Sequence, residues 1–145
     1  MTRALRHMLF LGAALAVMLP VSARAQTADD AFGIWLDPST GGHLEIAKCG
    51  DGLCAKIAML PPGKEDAKDK YNPDPVLRER PLLGLIIMES AHKTDDNMWE
   101  GTVYDRASGK LYSGKVVVKT KDTIDIIGCK LALLCRATPL TRVVQ

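Results

Sequence analysis

The side chains of this 145-residue chain that could do chemistry fall into four groups. His43 and Glu45 share a face of one alternating segment and have the right atoms to hold a metal or to act as base and acid. The same two also read as the solvated outer face of a half-buried strand. Glu89-Ser90-Ala91-His92 sets a hydroxyl near an imidazole beside an expected turn, but no nucleophile-elbow or oxyanion-hole pattern accompanies it. Asp69, Asn72, Asp74, Arg78 and Arg80 form the densest polar cluster, inside the charged, proline-rich stretch Asp69–Pro81. There Asn and Asp can bond backbone groups, and the arginines can tie the loop to carboxylates. The same groups could instead gate a cavity, bind an anion or sugar, or dock a partner. The fourth group is the cysteines, Cys49, Cys54, Cys129 and Cys135.

None of these amounts to a catalytic constellation. Only two histidines follow residue 25, so acid–base chemistry near neutral pH has few carriers. No catalytic residue, cofactor or metal is assigned. Four cysteines allow three pairings. Local geometry favours Cys49 with Cys54 across Gly50–Leu53, and Cys129 with Cys135 across Lys130–Leu134. Loops this short contribute about 2–3 kcal/mol each when crosslinked. The C-x4-C and C-x5-C spacings suit structural zinc poorly.

The N-terminus says where such cysteines would oxidise. Arg3 and Arg6 precede an apolar run from Met8 to Val21, and Ala23-Arg24-Ala25 offers small residues for cleavage before Gln26. Residues 1–25 therefore read as a secretory signal peptide and 26–145 as a single periplasmic domain. The run falls short of the roughly 18 residues a membrane span needs, so no stable membrane anchor is expected. The whole chain has 19 basic and 17 acidic residues. Once Arg3, Arg6 and Arg24 leave with the leader the balance is nearly neutral, with no basic run. No nucleic acid is expected as partner.

The elements that must position the side chains are short strands. Gln26–Ala31 reads as a frayed polar leader. Alternation or apolar runs then mark strands at 32–36, 43–49, 53–60, 82–88, 98–104, 110–119, 123–128 and 132–144. Turn-rich segments separate them, and no amphipathic helix intervenes. One connection is different. Pro73 and Pro75 remove backbone donors and push Asn72 and Asp74 towards extended geometry, so the segment up to Pro81 reads as a long ordered loop pinned by Val76, Leu77, Leu82 and Leu83. Glycines expected within strands (Gly84, Gly101, Gly114, Gly128) suit the bends of a closed sheet. The fold class is all-β, a small antiparallel up-and-down barrel of about eight strands.

Gly33-Ile34-Trp35 on the first strand and Arg142 on the last would be neighbours in such a barrel, with the guanidinium over the indole as a barrel-closing pair. That arrangement resembles the lipocalin signature. Asp69-x-x-Asn72-Pro73-Asp74-Pro75, Arg78, Pro81-Leu82, Gly84, Trp99-x-Gly101, Tyr104-Asp105 and Gly109-Lys110-x-Tyr112 resemble the bacterial domain of unknown function 2147. The resemblance extends along nearly the whole chain after the leader and implies an exported, lipocalin-like fold. Two positions depart from that pattern: Arg106 stands where the family often has proline, and Leu140 where it often has tryptophan.

The expected inward faces (Leu44, Ile46, Ile57, Met59, Val103, Val116, Val118, Ile124, Ile126) are apolar and mostly aliphatic. The leading expectation is thus an exported, non-enzymatic binding protein holding a small apolar, lipid-like molecule in the barrel. The alternative is an envelope structural or interaction protein with a packed barrel, docking an envelope protein through the loop around Asn72–Pro75. A cavity separates the two.

Overall fold

The computed structural model describes residues 25–131 and 133–144. The expected export signal lies outside the described residues except for Ala25. Period-two burial marks the strands as expected: Leu53, Ala55 and Ile57 are buried along one strand, and Val116 and Val118 along another. The strands are β1 (Gly33–Leu36), β2 (His43–Cys49), β3 (Gly52–Met59), β4 (Ile86–Asp95), β5 (Met98–Asp105), β6 (Lys110–Thr120), β7 (Thr123–Lys130) and β8 (Leu134–Arg142). Each pairs antiparallel with the next, and β8 returns to β1, so the sheet is a closed barrel. The seam between first and last strands has two register pairs, Trp35 with Arg142 and Leu36 with Thr141.

Up-and-down order sends alternate connections to opposite ends. One end carries the turns at 50–51, 96–97 and 121–122, together with the N-terminal segment. This end is plugged. Ala28–Ala31 forms one turn of 3-10 helix, and both alanines are fully buried. The frayed leader expected at Gln26–Ala31 is thus corrected. Trp99 Nε1 donates to the Ala28 carbonyl at 2.7 Å, and Trp35 Nε1 to the Ala31 carbonyl at 2.8 Å. The two indoles need acceptors once buried, and this turn supplies them. Arg142 lies 4.2 Å from the Trp35 ring centroid and donates to the carbonyls of Phe32 (3.0 Å) and Lys121 (2.6 Å). A Cβ at Gly33 would come within 2.6 Å of that guanidinium, so the glycine makes room for it.

The region 82–95 also differs from expectation. Leu82 does not begin a strand; it packs with Ile57 and Leu60 in a small second cluster beneath the long loop. Gly84, with φ of +81°, turns the chain, and β4 starts at Ile86. β4 then runs through the expected turn at Thr94 to Asp95, past an irregularity at Ser90 (φ +53°) where the register with β3 and β5 shifts. Gly52 accommodates the irregularity, since a Cβ there would meet the Ala91 carbonyl at 2.8 Å. An apolar run carries no period, so its sequence could not say where pairing starts.

Both pairs of cysteines favoured by the turn geometry are disulfides: Cys49–Cys54 with S–S 2.00 Å and Cys129–Cys135 with S–S 2.05 Å. The first crosslinks the β2–β3 hairpin at the plugged end. The second crosslinks the β7–β8 hairpin at the other.

Candidate functional site

The end opposite the plug carries the turns at 37–42 and 106–109, the turn residues Leu131 and Leu133, and the long β3–β4 connection. Between them a cavity of about 680 Å³ enters the barrel. Its deep wall is aliphatic, formed by Leu44, Ile57, Ile87, Val103, Ile126 and Leu140. Its rim is polar: His43, Tyr104, Tyr112, Arg106, Lys130 and Arg136 all border it. The contrast follows from position along the strands, because inward residues near the plug pack into the core while those near the mouth meet water. Gly128 lies on the wall, where among the described residues an added Cβ would have only Val103 Cγ1 within 4 Å, at 3.6 Å.

The rim carries acids as well as cations, but its acids are engaged. Asp37 accepts from the backbone N–H and hydroxyl of Ser39 (2.9 and 2.6 Å) and from the Thr40 hydroxyl (2.9 Å). Burial raises its pKa, yet these hydrogen bonds prevail and leave it below the ordinary value. Asp105 accepts from Ala107 N–H at 2.9 Å and the Ser108 hydroxyl at 2.7 Å. Hydrogen bonding with Ser108 lowers the pKa of Tyr112, burial opposes it, and the charges of Lys130 and Lys110 add to the lowering, so the net shift is downward. The Lys130 ammonium stands 5.1 Å from that ring's centroid.

The loop cluster is organised around a buried carboxylate. Asp69 is fully buried, accepts from the Tyr104 hydroxyl (2.7 Å), Asn72 Nδ2 (2.8 Å) and Arg80 Nε (2.9 Å), and forms an ion pair with Arg80 Nη2 at 2.8 Å. Burial pushes its pKa up, but the hydrogen bonds from Tyr104, Asn72 and Arg80 and the arginine's charge outweigh this and hold it below the ordinary 3.8. Burial and the Asp69 carboxylate raise the pKa of Tyr104 in turn. Asn72 is also buried; its Oδ1 accepts from Asp74 N–H at 2.9 Å, and its carbonyl accepts from Arg78 Nε at 2.8 Å. Asp74 caps the short 3-10 helix Pro75–Glu79 by accepting from Val76 N–H. The Tyr71 carbonyl settles against Gly109, where any side chain would collide. Asp69 and Asn72 thus fasten the loop to β5 and the β5–β6 turn, while Asp74 and Arg78 stay exposed on its outer face.

The other sequence candidates are dispersed. Glu45 pairs with Lys56 at 2.9 Å on the outer wall, whereas His43 borders the cavity. The β2–β3 pairing shifts register between His43 and Leu44, where β3 carries one extra residue. Ser90 and His92 are exposed on β4, well inside a strand rather than beside a turn, and neither bonds a carboxylate among the described residues. No group of three or more His, Cys, Asp or Glu side chains is placed to hold a metal among the described residues. Sequence reasoning missed the rim cations Lys130 and Arg136, which look like ordinary surface residues of a hairpin. A signal did exist for two other lining residues: Arg106 and Leu140, the departures from the family pattern, both face the cavity.

A family model described as an uncharacterized protein conserved in bacteria, domain of unknown function 2147, matches residues 33–142. No curated protein matches the chain. Among solved structures, it is similar to protein HP1028 of Helicobacter pylori, described as belonging to the lipocalin family. That similarity has TM-score 0.68 and 20% identity, covering 78% of this chain and 82% of the other.

Proposed function

Because the chain belongs to the domain of unknown function 2147 family and folds as a lipocalin-like barrel, we propose that it is a non-enzymatic binding protein for a small, lipid-like molecule. One observation carries this reading: the barrel is not filled by its own side chains at the mouth, where a cavity of about 680 Å³, open to solvent, reaches down to an aliphatic wall. Sites for small ligands span roughly 300–1,000 Å³, apolar in the main with few polar groups, and the cavity falls in that range. An alkyl or isoprenoid portion would contact Leu44, Ile57, Ile87 and Val103. A polar end would remain among His43, Tyr112, Arg106 and Arg136. A periplasmic location accords with the two disulfides, which persist in oxidising compartments.

A second reading draws on the loop. Asp74 and Arg78 are exposed and Val76 is 83% exposed beside them, which supports an envelope protein as docking partner there. The cavity favours the first.

The test is native mass spectrometry of the protein purified without detergent from its own host. A stoichiometric extra mass in the lipid range is expected. Gly128→Leu, which directs a side chain into the cavity, should lose that mass with little change in melting temperature. A bare mass persisting after incubation with envelope lipids would refute the reading, as would a Gly128→Leu protein that still carried the ligand.

A further inference from the structure

At the cavity mouth the β7–β8 hairpin presents leucines to water. Leu131 and Leu133 are each 89% exposed, and Leu134 is 69% exposed. Leu111, also 69% exposed, lies at the same end on the neighbouring β6, two residues before the Ser113 that pairs with Cys129. Single exposed leucines are ordinary; four together on one rim are not. Leu131 also holds φ at +52°, a conformation that favours Gly or Asn over a branched side chain. Folding stability would select a different residue there on both counts. The Cys129–Cys135 disulfide crosslinks the base of this hairpin, so the leucines project from a braced support.

The charges around them have one sign. Lys130 and Arg136 flank the hairpin, and Lys110 precedes Leu111. No acid occurs from Arg106 to Lys121 or from Ile126 to Val144. The nearest rim acids, Asp105 and Asp37, are held by hydrogen bonds within their own turns. The remaining acids at this end belong to the long loop, where Glu79 pairs with Lys68 and Asp69 with Arg80 while Glu65, Asp66 and Asp74 are exposed on the loop itself. Exposed leucines ringed by lysine and arginine match an anionic lipid interface: apolar side chains enter the acyl boundary and the cations meet the headgroups.

From these observations we infer that the β7–β8 hairpin docks the barrel, mouth first, on an anionic membrane surface. The contact is reversible, since four leucines and three cations fall far short of a membrane span. It stands whether or not the cavity carries a ligand.

The test uses the full chain with Leu133→Trp and vesicles of phosphatidylglycerol and phosphatidylcholine in equal parts, with brominated acyl chains. The native indoles, Trp35 and Trp99, are buried at the opposite end and provide the background. On anionic vesicles the new indole is expected to shift its emission to shorter wavelength and be quenched, while the native pair is unaffected. Lys130→Gln with Arg136→Gln should weaken this response ~10-fold or more, and phosphatidylcholine alone should give almost none. All these positions are exposed, so melting temperatures should match the parent and exclude misfolding. Emission that ignores vesicles would overturn the inference. So would an equal response on neutral vesicles, an unweakened response in the charge variant, or capture of a protein on the hairpin without any response to lipid.

Discussion

Asp69 shows how one residue type can carry two meanings. In sequence it is an acid among polar neighbours, equally suited to binding something or to holding a loop. In the structure its oxygens accept three hydrogen bonds, from Tyr104, Asn72 and Arg80, and pair with the Arg80 charge, with no exposure to water. Asp69→Ala would strand an arginine and two neutral donors around an apolar methyl, which costs about 2–4 kcal/mol given that Arg80 keeps some access to solvent. Urea denaturation should register that loss, and an unchanged midpoint would count against the latch. The pH dependence has a definite sign. The folded pKa lies below the ordinary 3.8, so the carboxylate's stabilisation is complete above about pH 4 and disappears as pH falls through the lowered value. Limited proteolysis of the loop should accelerate in that acid window, and Asp69→Asn should abolish the acceleration. His43 teaches the converse. It borders the cavity rim beside a one-residue register slip between β2 and β3 that no local pattern announces.

Elements were legible where their period was clean. β2, β3, β5 and β6 follow from alternation, and the two hairpin disulfides follow from short turns flanked by cysteines. β4 was legible only in part, because Leu82–Met88 is uniformly apolar and pairing depends on where Gly84 lets the chain turn. The N-terminal 3-10 turn was not legible at all. Its four residues, Ala28-Asp29-Asp30-Ala31, have no apolar face to speak of, and their burial comes from two distant indoles that need acceptors. Arg142 binds this plug from the last strand, through the Phe32 and Lys121 carbonyls and the Trp35 ring. Arg142→Lys keeps the charge but loses the planar fork, and should destabilise the fold by about 2–3 kcal/mol. Hydrogen exchange should localise the loss to the plugged end. Faster exchange at the mouth instead would show that Arg142 serves some other element.

For the whole molecule, closure was the main expectation and the cavity was the open question. Composition indicated apolar inward faces, but a packed interior and a hollow one have the same pattern. The difference is set by residue sizes along the inner wall, where Gly128 leaves open the space it faces. The same closure is thin along one line. β1 ends at Leu36, so among the described residues β8 pairs with it only through Arg142 and Thr141, and the stretch of β8 nearer the mouth has β7 on one side alone. That stretch is a strand edge, a ready template for self-association between barrels. Arg136 places a charge on it and Pro139 removes an N–H, both of which discourage a neighbouring strand from adding. Arg136→Val with Pro139→Val should therefore convert the protein towards dimers or larger assemblies in sedimentation velocity. A variant as monomeric as its parent would show that the edge is blocked by other means. On this view, part of what keeps β8 irregular in sequence is colloidal: the barrel wall is written to be joined once, to its own first strand, and to refuse every other.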